Sequence, residues 1–250
     1  MGNRGFCAAD RGRAVEYLTN GEGAVSYDQA SDAVTWAARK LREQKVPYYV
    51  AAELPWRRLR TPYRVFLAEF LLVRTRSDVV ARLFEDIVAR YPDLASLASA
   101  VESELTDALK PLGLKKRVPL LLRAARYLME QHGGQIPEKV EDLLEVPGLG
   151  LYTSVAIAAF AYDSAEVPAD VNILRFLSRL TGLPMEHPTK GSKDLRALLP
   201  LLSRDTGGPE PENLLDFSRT VCCPRRPKCS ECPLTSECVH FASISREEVN

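Results

Sequence analysis

The sequence predicts an all-α protein. Apolar residues recur every three or four positions in several segments, no stretch sustains the two-residue alternation of a strand, and prolines and glycines fall where such helices would begin and stop. Residues 1–30 show only weak periodicity and are expected to form a loose arm. Pro62 opens an apolar stretch through Leu72 and fits the first turn of a helix. From Asp78 to Arg90, Val79, Val80, Leu83, Phe84, Ile87 and Val88 fall at helical spacing. Lys115 to Gln131 repeats the pattern with Leu120, Leu121, Ala124, Tyr127 and Leu128, and Gly133-Gly134 stops it. Thr153 to Ala161 is small and apolar on nearly every side, which predicts a buried helix whose alanines let neighbours approach closely. Val171–Leu180 and Leu195–Leu202 complete the helical reading.

Composition narrows the function classes. A chain of 250 residues can bury one large core or two modest ones. Lys plus Arg and Asp plus Glu each number 33, so the balanced charge excludes a wholly basic nucleic-acid coat but not a local basic face. Basic residues do cluster, at Arg57, Arg58 and Arg60, at Arg74 and Arg76, at Lys115, Lys116 and Arg117, and at Arg225, Arg226 and Lys228. Each cluster alone is equally a solvated surface; its meaning depends on what it flanks. No apolar run reaches about 18 residues, so no membrane span is expected. The N-terminus lacks the apolar segment of a secretory signal, and Phe6 stands where a myristoylation motif wants Ser or Thr. The expected compartment is the cytosol.

There, clustered cysteines bind metal rather than pair as disulfides. Cys222, Cys229, Cys232 and Cys238 form C-x6-C-x2-C-x5-C. Four thiolates so close in sequence can converge on a tetrahedral zinc or on an iron–sulfur cluster. Zinc sites usually build two short knuckles, whereas only the central step here is short. The wider outer loops favour a larger cluster, with zinc as the alternative. Cys223 could replace its neighbour Cys222 as a ligand, and Cys7 has no evident chemical role.

A second feature is Pro147-Gly148-Leu149-Gly150, between two helical segments. Such a turn exposes backbone N–H groups, and the next helix adds the positive end of its dipole, so a phosphate can seat there. Alone, the motif is as often a plain connector. Asp170 lies 20 residues after Gly150, at the head of the next helical pattern. Taken by itself it reads equally as a helix cap.

With these features in order, the chain resembles the helix–hairpin–helix DNA glycosylases of the endonuclease III superfamily, and within them the T:G mismatch-specific thymine DNA glycosylases. The resemblance runs from about Leu54 to Cys238. It rests on "LPWR", "TPYRVFLAEFLLVRT", "GLKKR", "VPGLGLYTS", "VPADVNILRFLSRL" and the four-cysteine run. It implies two helical lobes, a six-helix barrel over 55–164 and a second lobe from 31–54 with 165–250. In that group the hairpin, here Pro147 to Gly150, holds DNA phosphates, the aspartate matching Asp170 is catalytic, and the four cysteines hold a [4Fe-4S] cluster. Substrate is expected between the lobes, with Tyr152 and Asp170 facing each other.

Members that also cut the strand carry a lysine where this chain has Tyr152, and a phenol cannot form the Schiff base of that chemistry. The resemblance therefore implies a monofunctional enzyme that leaves an abasic site. Glu69 is an ionisable residue in an otherwise apolar helix; in adenine glycosylases its counterpart protonates the base, and in thymine glycosylases it is also present. Cleaving the base from deoxyribose builds positive charge on the sugar, which a carboxylate stabilises. The base must first leave the stack, and a mismatched base leaves more cheaply. By position, Leu114 and Val73-Arg74 are the wedge candidates, and Lys115 belongs to the same DNA-facing motif. Adenine enzymes usually carry paired glutamines at the positions of Val73 and Arg74. They also commonly carry a further domain after the cluster, for which the twelve residues beyond Cys238 leave no room. The expected partner is double-stranded DNA bearing a mismatched base, bound by a monomer. The alternatives are an adenine glycosylase, a glycosylase for a damaged pyrimidine, or a non-catalytic, metal-stapled DNA-binding module.

Overall fold

A computed structural model describes residues 25–43, 54–73, 75–187 and 192–247. Cys7, Arg74 and most of the expected arm lie outside the described residues. The helices are α1 (Tyr27–Glu43), α2 (Pro55–Arg58), α3 (Pro62–Leu72), α4 (Ser77–Arg90), α5 (Leu94–Ala98), α6 (Glu102–Leu109), α7 (Val118–His132), α8 (Val140–Glu145), α9 (Leu151–Ala161), α10 (Val171–Thr181), α11 (Lys193–Ala197), α12 (Pro211–Thr220) and α13 (Val239–Glu247), joined by short 3-10 turns. Among the described residues there is no strand, so the fold is all-α, and no helix is long and apolar enough to cross a membrane.

The chain divides into two compact units, with boundaries at Tyr49/Val50 and at Pro168/Ala169. The unit between those boundaries holds six helices of six or more residues, together with the short α2 and α5. Its axis is α3. Pro62 starts this helix where a missing N–H costs nothing, and the Thr61 hydroxyl caps it by accepting from the Arg64 N–H at 3.3 Å. Every side chain from Arg64 to Leu71 is buried, among them Phe66, Leu67, Phe70 and Leu71. Removing a large side chain of this kind from water stabilises by roughly 1.5–3 kcal/mol. The small residues of α9 (Ser154, Ala156, Ala158, Ala159) let it lie directly along α3. Phe84 meets Trp56 edge-to-face, with centroids 5.1 Å apart. Gly133, in the left-handed region, ends α7 as the sequence indicates.

In the other unit α10 is central, packed by α1, α12 and α13. Phe176 on α10 and Phe217 on α12 meet edge-to-face at 5.4 Å. Two elements differ from expectation. First, α1 begins at Tyr27, inside the stretch expected to be a loose arm, because Ala30, Ala33, Val34, Ala37, Ala38 and Leu41 form a buried stripe. That stripe is mostly alanine, which carries little hydrophobic signal in a sequence. Second, the expected helix over Leu195–Leu202 is two pieces, α11 and a 3-10 turn at Leu199–Leu202. Pro200 has no N–H to continue an α-helix.

Candidate active site

In the barrel unit the hairpin follows α8. Val146 is buried, and the Leu149 N–H turns back to the Val146 carbonyl at 3.1 Å. Gly148 has φ +90°, and a Cβ there would stand 2.6 Å from Leu120 Cγ and Cδ2. The position therefore demands glycine for both backbone and space. Gly150 opens α9 with no side-chain cap, so the first-turn N–H groups stay available to an outside acceptor at the positive end of the helix. Leu149 is buried, while Leu151 and Tyr152 are exposed, Tyr152 to 37%. Pro147 to Gly150 thus form a rigid, bare-backbone corner followed at once by a presented phenol.

Glu69 lies on α3, the helix against which α9 packs, and is 6% exposed. Val73 caps the C-terminal end of the same helix and is half-buried. Leu114 does not project. It is 7% exposed and belongs to the barrel core with Leu112 and Val118, so the wedge role expected of it is not prepared in this conformation. Lys115 and Lys116, next in the chain, are exposed. Arg117 turns back so that its guanidinium sits 4.7 Å from the Phe70 ring centroid.

In the other unit, Asp170 caps α10. Its Oδ1 accepts from the N–H groups of Asn172 (2.8 Å) and Ile173 (3.0 Å), so the cap reading of this residue holds. Its Oδ2 is also engaged, by the Asn172 side-chain amide at 2.6 Å. The Asn172 Oδ1 in turn accepts from Arg175 Nη1 at 2.9 Å. Arg175 donates onward to the carbonyls of Cys222 (2.9 and 3.2 Å) and Ser218 (2.7 Å). One helical turn later, Arg179 donates to the carbonyls of Cys223 and Pro224, each at 2.7 Å, and lies 3.6 Å from Cys222 Sγ. Burial lowers the Arg175 pKa, against the attraction of Cys222 and Asp170. Sequence reasoning missed Asn172, Arg175 and Arg179. The signal was there: steps of three and four place all three on one face of a helix.

Cys222, Cys229, Cys232 and Cys238 all line one cavity, with Phe176, Leu180, Phe217 and Leu234 as apolar wall. Burial pushes the Cys232 thiol up to about 12 and that of Cys238 to about 11, and also raises that of Cys229. Among the described residues, no three His, Cys, Asp or Glu stand close enough to hold a single metal ion. Four thiols around a shared apolar cavity are a donor set that fits a cluster with one thiolate per iron. Cys223 is not part of that wall; its thiol donates to the Arg226 carbonyl at 2.8 Å.

Residues 67–201 match the HhH-GPD superfamily of base excision DNA repair proteins. A thymine-DNA glycosylase of Aeropyrum pernix is 32% identical over 209 residues, covering 80% of this chain and 94% of the relative. A thymine/uracil-DNA glycosylase of Methanothermobacter thermautotrophicus is 29% identical over 197 residues, covering 77% and 88%. Among solved structures, a thermostable thymine-DNA glycosylase superposes with a TM-score of 0.74 at 24% identity, over 86% of this chain and 98% of that one. An endonuclease III trapped on DNA superposes at 0.70 with 17% identity, over 86% and 99%. These likenesses carry the fold; the sequence match extends over more than half of the chain, and the chain belongs to the HhH-GPD superfamily of base excision DNA repair proteins.

Proposed function

We propose that the protein is a monofunctional DNA glycosylase that extrudes thymine or uracil mispaired with guanine and hydrolyses its N-glycosidic bond, leaving an abasic site. The observation that carries this reading is Tyr152, an exposed phenol directly after a bare-backbone hairpin. An amine there would attack the sugar; a phenol has no imine chemistry. The names of the Aeropyrum and Methanothermobacter relatives support the pyrimidine substrate.

The hairpin N–H groups take a backbone phosphate and register the duplex. The mispaired base costs less to unstack than a paired one. As the C1′–N1 bond breaks, its electron pair leaves with the pyrimidine and positive charge grows on the sugar. Asp170 stabilises that charge and accepts a proton from the water whose oxygen bonds to C1′. Three hydrogen bonds hold the carboxylate in one orientation, so little reorganisation is needed as the charge develops. Thymine departs as an anion held through its carbonyls, a task for Tyr152, with Glu69 ordering water instead of donating a proton.

Cys222, Cys229, Cys232 and Cys238 would hold a [4Fe-4S] cluster. The group supplies no chemical step in this reading; it staples the loop carrying Arg225, Arg226 and Lys228, which faces phosphate charge. Iron and sulfide content with broad visible absorbance tests the cluster, and zinc in their place refutes it.

Labelled duplexes with T:G, U:G or A:G pairs test the activity. The expected result is cleavage of the T:G and U:G strands after alkali and intact strands without it. Cleavage confined to A:G selects the adenine reading suggested by the buried Glu69. Strand breaks without alkali refute the monofunctional assignment, and intact strands throughout refute the enzyme.

A further inference from the structure

The turn between α2 and α3 presents an apolar side chain between cations, and a buried ion pair holds it there. Leu59 is 58% exposed, and Arg58 and Arg60 on either side are exposed as well. The backbone of this turn is pinned from beneath. The Leu59 N–H donates to the Pro55 carbonyl at 3.3 Å. Arg64 Nε donates to the Leu59 carbonyl at 3.1 Å, and Arg64 Nη2 to the Pro55 carbonyl at 3.4 Å. Arg64 is buried, held by both oxygens of Glu85 and lying 5.1 Å over the Phe84 ring. With Arg64 locked on both sides, the turn cannot fold Leu59 inward. No Asp or Glu stands between Leu54 and Ala68, so the surface chemistry of this stretch is cationic and apolar only.

We propose that Arg58-Leu59-Arg60 is a DNA-contacting tip, with Leu59 packed against sugars and base edges in the minor groove and the two guanidiniums on flanking phosphates. The proposal rests on the glycosylase reading for its partner. Duplex DNA is the occupant that charge complementarity selects, and an apolar side chain beside arginines is the combination that enters a minor groove. Leu114, the apolar residue that sequence resemblance puts forward for contact with the helix, is held in the core, whereas Leu59 is already presented. The tip is also registered to the site, because the helix it leads into carries Glu69.

The test is equilibrium binding by the full chain to two duplexes over a salt series: a matched G:C duplex, and one with a tetrahydrofuran abasic analogue opposite guanine. Combining Arg58→Ala with Arg60→Ala should weaken both duplexes alike and reduce the slope of log K against log salt by about 1.8, at roughly 0.9 for each phosphate no longer neutralised. Leu59→Ala should leave the slope unchanged and weaken the abasic duplex by about tenfold, the scale of a single apolar packing interaction with a base, with a smaller effect on the matched duplex. Leu59→Met should restore binding. Wild-type slope and affinity in both variants overturn the proposed tip, as does an affinity loss that tracks a fall in melting temperature. Base excision by the wild-type chain is scored separately. Its absence with the slope effect intact overturns the proposed activity alone, and its presence with no effect in either variant overturns the tip alone.

Discussion

Replacing Asn172 by alanine separates the capping role of Asp170 from its proposed chemical role. The Asp170 carboxylate has two oxygens with different duties. Oδ1 takes the Asn172 and Ile173 backbone N–H groups, which any residue at 172 supplies. Oδ2 depends on the Asn172 amide at 2.6 Å, a bond to a charged acceptor. Such a bond is worth about 2 kcal/mol. If the carboxylate must keep this orientation in the transition state, its loss slows the chemical step by about 30-fold, at 1.36 kcal/mol per tenfold. The helix keeps its cap, so stability should change by about 1 kcal/mol or less. Single-turnover excision from a T:G duplex reads the first quantity, thermal melting the second, and affinity for an abasic-analogue duplex serves as a control for binding. A rate within twofold of wild type refutes the claim that Asn172 positions Asp170. A large fall in melting temperature refutes the division of labour between the two oxygens.

Other substitutions probe the remaining parts. Tyr152→Lys places an amine after the hairpin, and borohydride should then trap a covalent protein–DNA adduct that the wild type does not form; no adduct would show that position 152 does not reach the sugar. Gly148→Ala forces an L-residue to φ +90° against Leu120, which costs about 1–2 kcal/mol from the backbone and at least as much from overpacking. Tm should fall by several degrees, at roughly 2–4 °C per kcal/mol for a chain of this size, and DNA affinity should fall with it. Glu69→Gln should slow T:G excision less than Asp170→Asn does; equal loss would make Glu69 a proton donor and favour the adenine chemistry.

Much of the fold was legible because local signals and tertiary demands agree. α3 carries a proline at its first turn, a threonine cap and an unbroken apolar run, and each points to the same helix. The hairpin was legible because Gly148 and Gly150 are residues whose absence of a side chain is itself the information. What stayed hidden was set by packing. The stripe of α1 is mostly alanine, so its burial depends on α10 fitting closely against it and not on strong hydrophobicity. Leu114 has the same composition whether it projects or packs; the turn at Lys110–Leu112 and the helix starting at Val118 enclose it in the core, and no pattern in "GLKKR" records that.

Asp170 illustrates why the two readings of one residue need not compete. A capping aspartate and a catalytic one are both acceptors fixed at the head of a helix, and a single carboxylate here meets three donors. The extra information lies further along α10. Asn172, Arg175 and Arg179 continue one face, and the two arginines end on carbonyls of Cys222, Cys223 and Pro224. Arg175→Leu should therefore reach the carboxylate at one remove. It keeps the helix and the apolar packing of the stem but removes the donor that fixes the Asn172 amide, so excision should slow by severalfold while the α10 cap survives. An unaltered rate in that variant, with the Cys222 end of the loop equally undisturbed, would show that the Asn172 amide is held well enough by Asp170 alone.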